Sequence, residues 1–194
     1  ERRRQRSHHH PMSESAGIPP VAGLLDFRGK AVIVTGSGSG LGQGIALRFA
    51  EAGAAVVVHY GHSAEGARAV VDSIAAAGGH ACAIQADVTQ PDDVARLVGA
   101  CVAAYGRLDV LVNNAGIYPL HSVLAMSVTD WDSVVNANLR SAFLCTQAAA
   151  RQMVAQGNGG AIVNITSIEA ENPAPNHSHY DAAKAGVAML TRAS

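Results

Sequence analysis

The sequence predicts an α/β fold built on a doubly wound parallel sheet, and three patterns support that prediction. Short apolar runs alternate with longer segments in which apolar residues recur at helical spacing. A glycine-rich turn joins the first apolar run to the first helical segment, and polar residues follow the ends of other apolar runs. Such alternation favours parallel strands joined by right-handed crossovers, with helices on both faces of the sheet.

The predicted elements begin at Lys30. Because parallel strands end at the same edge of a sheet, ligands of such folds bind beyond those carboxyl ends. The glycine turn, Asp87, Asn114 and Ser167 each follow a predicted strand, so we expect one site at that edge. The predicted strands lie near residues 30–35, 54–59, 80–86, 108–113 and 160–166, and the predicted helices near 41–52, 64–77, 91–105, 129–156 and 178–192.

The first strand leads directly into a turn suited to phosphate. Residues 31–34 are Ala-Val-Ile-Val, residues 35–42 are Thr-Gly-Ser-Gly-Ser-Gly-Leu-Gly, and a helical pattern follows. Unpaired N–H groups at a helix N-terminus attract anions, and glycine lets a pyrophosphate approach the backbone. No lysine follows in the pattern of a nucleoside-triphosphate loop. A flexible linker is disfavoured because a buried strand and an amphipathic helix flank the turn.

Tyr180 and Lys184 are four residues apart in Tyr-Asp-Ala-Ala-Lys, thirteen residues after Ser167. In a helix this spacing puts both side chains on one face, where they can converge on one substrate. A lysine charge beside a phenol favours the phenolate, which suits a general acid or base. The alternative to a catalytic pair is an unrelated tyrosine and lysine on a solvated helix face. The other motifs of the chain argue against this alternative.

With Asn113-Asn114-Ala115-Gly116 between these motifs, the chain resembles the short-chain dehydrogenase/reductase family from about Lys30 to Ser194. The resemblance implies a Rossmann-type fold and NAD(P)-dependent hydride transfer between nicotinamide and a secondary alcohol or ketone. Family members continue for several tens of residues beyond the position of Ser194. The resemblance therefore also implies a fold that is truncated at its C-terminus, and a longer natural product.

The resemblance assigns catalytic roles to four residues. Ser167 is expected to hydrogen-bond the substrate oxygen, and Tyr180 to exchange its proton. Lys184 is expected to favour the tyrosinate and to hold the nicotinamide ribose, and Asn138 to hold a water of the proton relay, with Asn136 on another helix face. No metal is implied, because two hydroxyls and a cation meet the developing oxyanion.

The resemblance also assigns the cofactor site. The glycine turn is expected to hold the pyrophosphate, Asp87 the adenine, and the Asn-Ala-Gly stretch the adenosine side, while Asn113 stabilises the sheet edge. Tyr60 and Ser63 are expected near the ribose. The cofactor-binding set is Gly36, Ser37, Ser39, Gly40, Leu41, Gly42, Tyr60, Ser63, Asp87, Val88, Asn114, Ala115, Gly116, Tyr180 and Lys184.

The end of the second strand bears on the choice between NAD and NADP. An NAD site usually carries a carboxylate there, but Val58 is followed by His-Tyr-Gly-His-Ser. His62 and Ser63 could donate to a 2′-phosphate, although Ser39 stands where many NADP-binding members have a basic residue. We expect NADP, or use of both cofactors.

The segment before Tyr180 suggests the substrate. Pro-Ala-Pro-Asn-His-Ser-His-Tyr is similar to the bacterial glucose 1-dehydrogenase branch, although Ala170 replaces a glutamate of that branch. A sugar or polyol is therefore expected, with a 3-oxoacyl thioester reductase as the alternative. A non-catalytic nucleotide-binding sensor or interaction protein is the alternative of another class. The polar candidates for a hydroxylated substrate are Glu169, Glu171, His177 and His179, with a loop-stabilising or solvated role as the alternative for each. Tyr118 and His121 are candidates for the cleft wall.

Composition sets the remaining expectations. Apolar residues make up 48% and charged residues 15% of the 194 residues, which indicates a largely buried sheet and excludes a disordered chain. A net charge of -1 gives no general attraction to nucleic acid or membranes, and no apolar run reaches the ~18 residues of a spanning helix. We expect a small-molecule substrate, no nucleic-acid or membrane partner, and a homo-oligomer, either dimer or tetramer.

The three cysteines, Cys82, Cys101 and Cys145, are interpreted as buried thiols of a cytoplasmic protein.

Residues 1–29 differ from the predicted domain, which comprises residues 30–194. Arginines precede three consecutive histidines, and Pro, Ser and Gly follow. We interpret this segment as a flexible basic tail, while an arm that binds nucleic acid and a metal-binding histidine run stay as alternatives. Because Met12 is available as a start, residues 1–11 are interpreted as upstream or appended sequence.

Overall fold

A computed structural model describes residues 25–194 of the chain. Its centre is one parallel sheet of five strands in the order β3-β2-β1-β4-β5. The chain therefore runs outward from β1 to one edge and then from β4 to the other, which makes the sheet doubly wound. The strands are β1 Ala31–Val34, β2 Ala55–Tyr60, β3 His80–Gln85, β4 Val110–Asn113 and β5 Ala161–Asn164.

Helices connect the strands and cover both faces of the sheet. A π-helical segment, Asn136–Arg140, joins helix Val128–Val135 to helix Ser141–Ala155 without a break in the helical path. A 3-10 turn, Ile168–Ala170, follows β5. The helices are α1 Gly40–Glu51, α2 Ala64–Ala76, α3 Pro91–Tyr105, α4 Val128–Val135, α5 Ser141–Ala155 and α6 Ser178–Ala193.

Successive residues of the central strands serve two separate apolar cores. Ile33 of β1 points to the layer of α3 and α5, whereas Val32 and Val34 point to the layer of α1 and α2. The alternation follows from the two-residue period of a strand. Both faces of β1 are thus fully buried, which explains the continuous apolar run in the sequence.

The fold class and the order of elements predicted from the sequence are confirmed. One element was predicted incompletely, because the helix expected over residues 129–156 contains the π-helical segment. Residues 1–24 of the predicted tail lie outside the described residues. Within the described part, Phe27 packs edge-on against Phe49 of α1, with ring centroids 5.1 Å apart.

Two further features complete the fold. Over residues 25–194, no helix combines the length and apolarity needed to cross a membrane. Cys101 and Cys145 are buried free thiols and Cys82 is a half-buried one. Burial raises the pKa of Cys101 and of Cys145 to about 12, so both are poor nucleophiles.

Candidate active site

The glycine turn leaves a helix N-terminus open at the carboxyl edge of the sheet. Gly36 adopts a φ of +63°, which favours glycine. A Cβ at Gly42 would collide with the carbonyl oxygen of Gly36 and the amide of Asn114, so α1 can approach the turn this closely only with glycine there. The first turn of α1 has no acidic residue and Ser39 makes no side-chain cap. The N–H groups of this turn therefore suit an anion.

Ser37 has a different position from the rest of the turn. It is fully buried, its hydroxyl donates to the Val34 carbonyl at 2.7 Å, and its N–H donates to the His59 carbonyl at 2.9 Å. Both of its donors are thus used inside the protein. Ser37 therefore stabilises the turn from inside the protein. It does not line the cleft, whereas the resemblance implies that it binds the cofactor.

His59 supports the turn from the end of β2. Its Nδ1 accepts the N–H of Gly36 at 2.9 Å, and its Nε2 lies 3.0 Å from the Ala86 carbonyl oxygen, which can only accept. The imidazole is therefore neutral, with its proton on Nε2. Burial lowers the pKa of His59, although the Ala86 carbonyl partly offsets this effect. His59 joins the turn to the end of β3.

Thr35 and two asparagines join the turn to β4 and β5. The Thr35 hydroxyl accepts the N–H groups of Asn114 and Ala115, and the Asn114 amide donates to the carbonyls of Thr35 and Gly36. The Asn113 amide donates to Asn164 of β5 at 2.8 Å. Both asparagines therefore hold the sheet edge together, and Asn114 reaches the cleft through its position beside Ala115.

A cavity of about 1210 Å³ runs along this edge, beyond the ends of β2, β1 and β4. Asp87 lies in its wall, where its carboxylate accepts the N–H and the hydroxyl of Thr89 and keeps one oxygen free. Asp93 is held by Arg96 and the Asp87 N–H. The expected cofactor residues in the wall are Gly36, Ser39, Tyr60, Ser63, Asp87, Val88, Asn114, Ala115 and Gly116; Gly40, Leu41 and Gly42 lie in the adjoining first turn of α1.

Asn138 lies under Gly116 at the inner side of this cavity. Its amide nitrogen donates to the carbonyls of Ile117 and Val134 at 2.8 and 2.9 Å, and its Oδ1 is buried without a partner among the described residues. It belongs to the π-helical segment, while Asn136 lines the cavity itself. An acceptor of this kind is suited to a water or a ligand hydroxyl.

Lys184 and Tyr180 lie on one face of α6, as their spacing predicted. Lys184 is 5% exposed, and its Nζ donates to the Ile165 carbonyl at 2.8 Å and lies 5.6 Å from the Tyr180 ring centroid. Burial lowers the pKa of Lys184. A Cβ built on Gly116 would contact Asn138 Oδ1 and lie 3.8 Å from Lys184 Nζ, so both groups face Gly116.

Ser167 begins the turn that follows β5, on the same edge of the sheet. Its hydroxyl accepts the N–H of Glu169 at 3.1 Å, which leaves its hydroxyl proton for another partner. Asn138 and Lys184 thus lie beside Gly116 of the cavity wall, and Tyr180 lies in a helix that packs against the turn that Ser167 begins.

Two polar candidates for substrate contact are placed elsewhere. His179 is fully buried and accepts the Tyr180 N–H, and His177 is 7% exposed and lies between Glu169 and Tyr118. Both rings bond to protein groups, as in the loop-stabilising alternative to a contact with a hydroxylated substrate. The exposed Tyr118 ring lies 6.5 Å from that of Tyr180.

These features suit a dinucleotide: an open helix N-terminus for its pyrophosphate, a long cleft, and a buried lysine at the inner end. The short chain dehydrogenase family model matches residues 30–194. The chain belongs to the short-chain dehydrogenase family. The resemblance predicted from the motifs is thereby confirmed, together with an oxidoreductase class that acts on CH–OH or keto groups with NAD(P).

Individual short-chain dehydrogenases align over most of the chain. A 3-oxoacyl-[acyl-carrier-protein] reductase of Staphylococcus aureus is 42% identical over 165 residues, which are 85% of this chain and 67% of the relative. An L-rhamnose 1-dehydrogenase (NAD(P)(+)) of Sphingomonas sp. is 40% identical over 168 residues, 87% of this chain and 66% of the relative. A short-chain dehydrogenase/reductase structure from Mycobacterium marinum superposes with a TM-score of 0.86 at 40% identity, covering 90% of this chain and 69% of that one. The chain spans about two thirds of the length of these relatives.

Sequence reasoning missed two supporting side chains of this short-chain dehydrogenase. His59 was given no role from the sequence, and it points into the protein under Gly36. The interruption of the apolar run of β2 by a histidine would have been the only indication. His177 was left as a candidate for either a substrate contact or a loop-stabilising residue, because the sequence does not show that Glu169 and Tyr118 meet it.

Proposed function

We propose that the protein interconverts a secondary alcohol and a ketone, with Tyr180 as the proton donor or acceptor. The observation that carries the proposal is the convergence of Lys184 and Asn138 on Gly116, beside the Tyr180 ring. When bound, the nicotinamide of the cofactor would supply or accept the hydride. Lys184 places a cation near the phenol and would hold a ribose hydroxyl of the cofactor, and Asn138 Oδ1 would accept from a water of the proton path.

Ser167 completes the proposed site. Its hydroxyl proton is free to donate to the substrate oxygen, and Tyr180 approaches that oxygen as the second hydroxyl. Two donors aimed at a developing oxyanion stabilise the transition state more than the ground state. The Ser167 and Tyr180 hydroxyls together would form a positioned oxyanion site.

The cofactor preference is a finer proposal: NADP, or both cofactors. The cavity wall after β2 is formed by Tyr60, Gly61, His62 and Ser63, without a carboxylate among them. His62 and Ser63 are exposed there and can donate to a 2′-phosphate. Nothing in this stretch repels the additional charge of NADP.

For the substrate we propose a ketone with an apolar part, of the 3-oxoacyl thioester class. Apolar side chains are exposed next to the proposed catalytic hydroxyls: Ile168 follows Ser167 and is 77% exposed, and Tyr118 beside Tyr180 is 73% exposed. The histidines that favoured a sugar face the protein interior. The 42% identical reductase from Staphylococcus aureus supports this order of preference.

A sugar or polyol remains the second candidate. The L-rhamnose 1-dehydrogenase of Sphingomonas sp. is 40% identical and supports it. Glu171 is exposed in the segment before Tyr180 and could contact a hydroxylated substrate.

A substrate panel separates these proposals. The chain and its Tyr180→Phe variant are assayed with acetoacetyl thioesters, L-rhamnose and D-glucose, each with the phosphorylated and unphosphorylated cofactor, by nicotinamide absorbance. We expect the highest kcat/KM for the thioester with NADPH, and no turnover by the variant. Sugar oxidation alone would support the second candidate. Cofactor binding without any turnover would contradict the proposal and favour a nucleotide-binding sensor.

Assembly and location complete the proposal: a cytoplasmic homo-oligomer, dimer or tetramer. Exposed apolar side chains on neighbouring helices support a subunit interface there, namely Phe143 and Val154 of α5 and Met189 of α6. Light scattering coupled to size-exclusion chromatography measures the mass. A strictly monomeric chain at micromolar concentration would contradict it.

A further inference from the structure

His177 directly precedes α6 and contacts three segments that surround Tyr180. Its Nδ1 lies 2.6 Å from Glu169 Oε2 in the turn after β5, and its Nε2 lies 3.1 Å from the Tyr118 carbonyl oxygen after β4. Its ring stacks on the Tyr180 ring, with centroids 4.8 Å apart and an angle of 28° between the planes. One side chain therefore connects the loop beside the cleft, the turn that carries Ser167 and the phenol.

The two contacts define the protonation of His177. A carbonyl oxygen only accepts, so Nε2 must carry a proton to bond Tyr118. The 2.6 Å separation from the Glu169 carboxylate is that of a charge-assisted hydrogen bond, which puts a proton on Nδ1 as well. His177 is then an imidazolium. Burial acts to lower its pKa, but the Tyr118 carbonyl and Glu169 outweigh burial, and the pKa is raised.

The other titratable groups around His177 are compatible with that charge. The Asp181 carboxyl lies within 4.8 Å of both the Glu169 carboxylate and the His177 ring nitrogen. Burial and the neighbouring Glu169 raise the pKa of Asp181, so Asp181 takes up a proton more readily than an isolated carboxyl. The His179 ring is 6.2 Å away and its Nδ1 accepts the Tyr180 N–H. The cluster thus pairs one cation with the Glu169 carboxylate.

We propose that His177 is a positioning residue for the reaction: its imidazolium, clamped between Glu169 and the Tyr118 carbonyl, fixes the Tyr180 ring and holds it in register with Ser167. The inference rests on the proposed catalytic role of Tyr180. Ser167 is included because its hydroxyl accepts the N–H of Glu169, the residue that holds His177. A cation stacked on an aromatic ring in a desolvated place adds to the hold.

The clamp has a definite pH dependence. A neutral imidazole has one N–H, so it cannot donate to both Glu169 and Tyr118. The clamp is complete below the raised pKa of His177 and opens as the pH rises through it. Replacement of Glu169 by Gln removes the carboxylate that favours the imidazolium, so the opening should move to lower pH.

Three variants test the proposal in the full chain: Glu169→Gln, His177→Phe and the control Glu171→Gln. Glu171 is exposed, carries the same charge and lies two residues from Glu169. The first readout is NMR of the histidine ring nitrogens and the tyrosine rings, with Tyr180 assigned from Tyr180→Phe. We expect Glu169→Gln to lower the titration midpoint of His177, and the Tyr180 ring resonances to move in step with that titration. Glu171→Gln should leave both the His177 midpoint and the Tyr180 ring resonances at their parental values.

The second readout is turnover with the best substrate of the panel. His177→Phe keeps an aromatic ring but loses both N–H groups, and a misplaced catalytic group typically costs roughly 10- to 100-fold in kcat. We expect that loss in His177→Phe without a change in NADPH affinity. In the parent, activity should fall at high pH, and in Glu169→Gln this fall should occur at lower pH. In His177→Phe the pH–activity profile should lack this fall.

Failure of this inference is distinct from failure of the proposed function. A chain without turnover on any substrate removes the proposed function, but the NMR readout still decides whether His177 positions Tyr180. An unchanged His177 midpoint in Glu169→Gln, or Tyr180 resonances indifferent to both variants, overturns the proposal. So does parental kcat in His177→Phe.

Discussion

The Nδ1 atom of His59 accepts the backbone N–H of Gly36 at 2.9 Å, while Nε2 on the other side of the ring donates to the Ala86 carbonyl at 3.0 Å. The ring is 2% exposed. The imidazole thus supplies the hydrogen-bond partners that the Gly36 N–H and the Ala86 carbonyl would otherwise lack. The shape of the glycine turn depends on this neutral imidazole.

Replacement of His59 by Leu should destabilise the protein and weaken cofactor binding. The Gly36 N–H and the Ala86 carbonyl would both lose their partner, at a cost of about 1–3 kcal/mol for each buried group. Urea unfolding measures the loss, and quenching of intrinsic fluorescence measures NADPH affinity. His80→Leu, at an exposed position of β3 outside the cavity lining, is the matched control and should change stability by no more than about 0.5 kcal/mol. Equal effects of both changes would contradict the role of the ring.

The same histidine predicts an acid limit to stability. Its folded pKa is lowered, mainly by burial, so its contribution is complete above the unfolded pKa of about 6.5. The contribution decreases as the pH falls from there through the folded pKa, because the unfolded state binds the proton first. Unfolding free energies of the parent and His59→Leu, measured between neutral and mildly acidic pH, should converge on acidification. A constant difference would show that His59 does not titrate with folding.

The elements of the sheet were predictable because their determinants are local. β1 was predicted from four consecutive apolar residues and a glycine turn. The common face of α6 that carries Tyr180 and Lys184 was predicted from their spacing. The direction of the His59 side chain was not predictable, since it depends on β2 extending to Tyr60 and on Ala86 arriving from β3.

A methyl group at Gly116 should disable the proposed proton path. A Cβ there would overlap Asn138 Oδ1, so Gly116→Ala must displace that amide or the loop, and Lys184 Nζ is close by. We expect kcat to fall by roughly 10²-fold, the usual cost of misplacing a group at the site of reaction. Gly99→Ala, in a helix with no atom within 4 Å of the added carbon, is the control and should retain parental activity. Parental kcat in Gly116→Ala would exclude a role for Asn138 in this position.

The cofactor preference should respond to one charge at Gly61. Apart from its chain neighbours, no residue in 25–194 has an atom within 4 Å of a Cβ there, so the site accepts a side chain, and it lines the cavity after β2. Gly61→Asp should weaken NADPH roughly tenfold relative to NADH by like-charge repulsion, whereas the isosteric Gly61→Asn should not. The ratio of kcat/KM for the two cofactors measures the effect. The same ratio in both variants would place the ribose elsewhere.

The site could be predicted in part. Tyr180, Lys184 and Ser167 were recognisable because their motifs are contiguous and the family resemblance orders them. The π-helical segment around Asn138 was not, because a change of hydrogen-bond register leaves no compositional trace. The pairing of His177 with Glu169 and Tyr118 joins residues that are up to 59 positions apart, a distance over which sequence periodicity carries no information.

The central claim is that Tyr180 transfers the proton. Comparing kcat of the chain with that of Tyr180→Phe, on the best substrate and with saturating NADPH, tests it most directly. We predict a loss of at least roughly 10²-fold, with NADPH affinity unchanged, because the phenyl ring keeps the packing and lacks only the hydroxyl. Turnover by Tyr180→Phe within threefold of the parent, on the order of experimental scatter for such comparisons, would contradict the account.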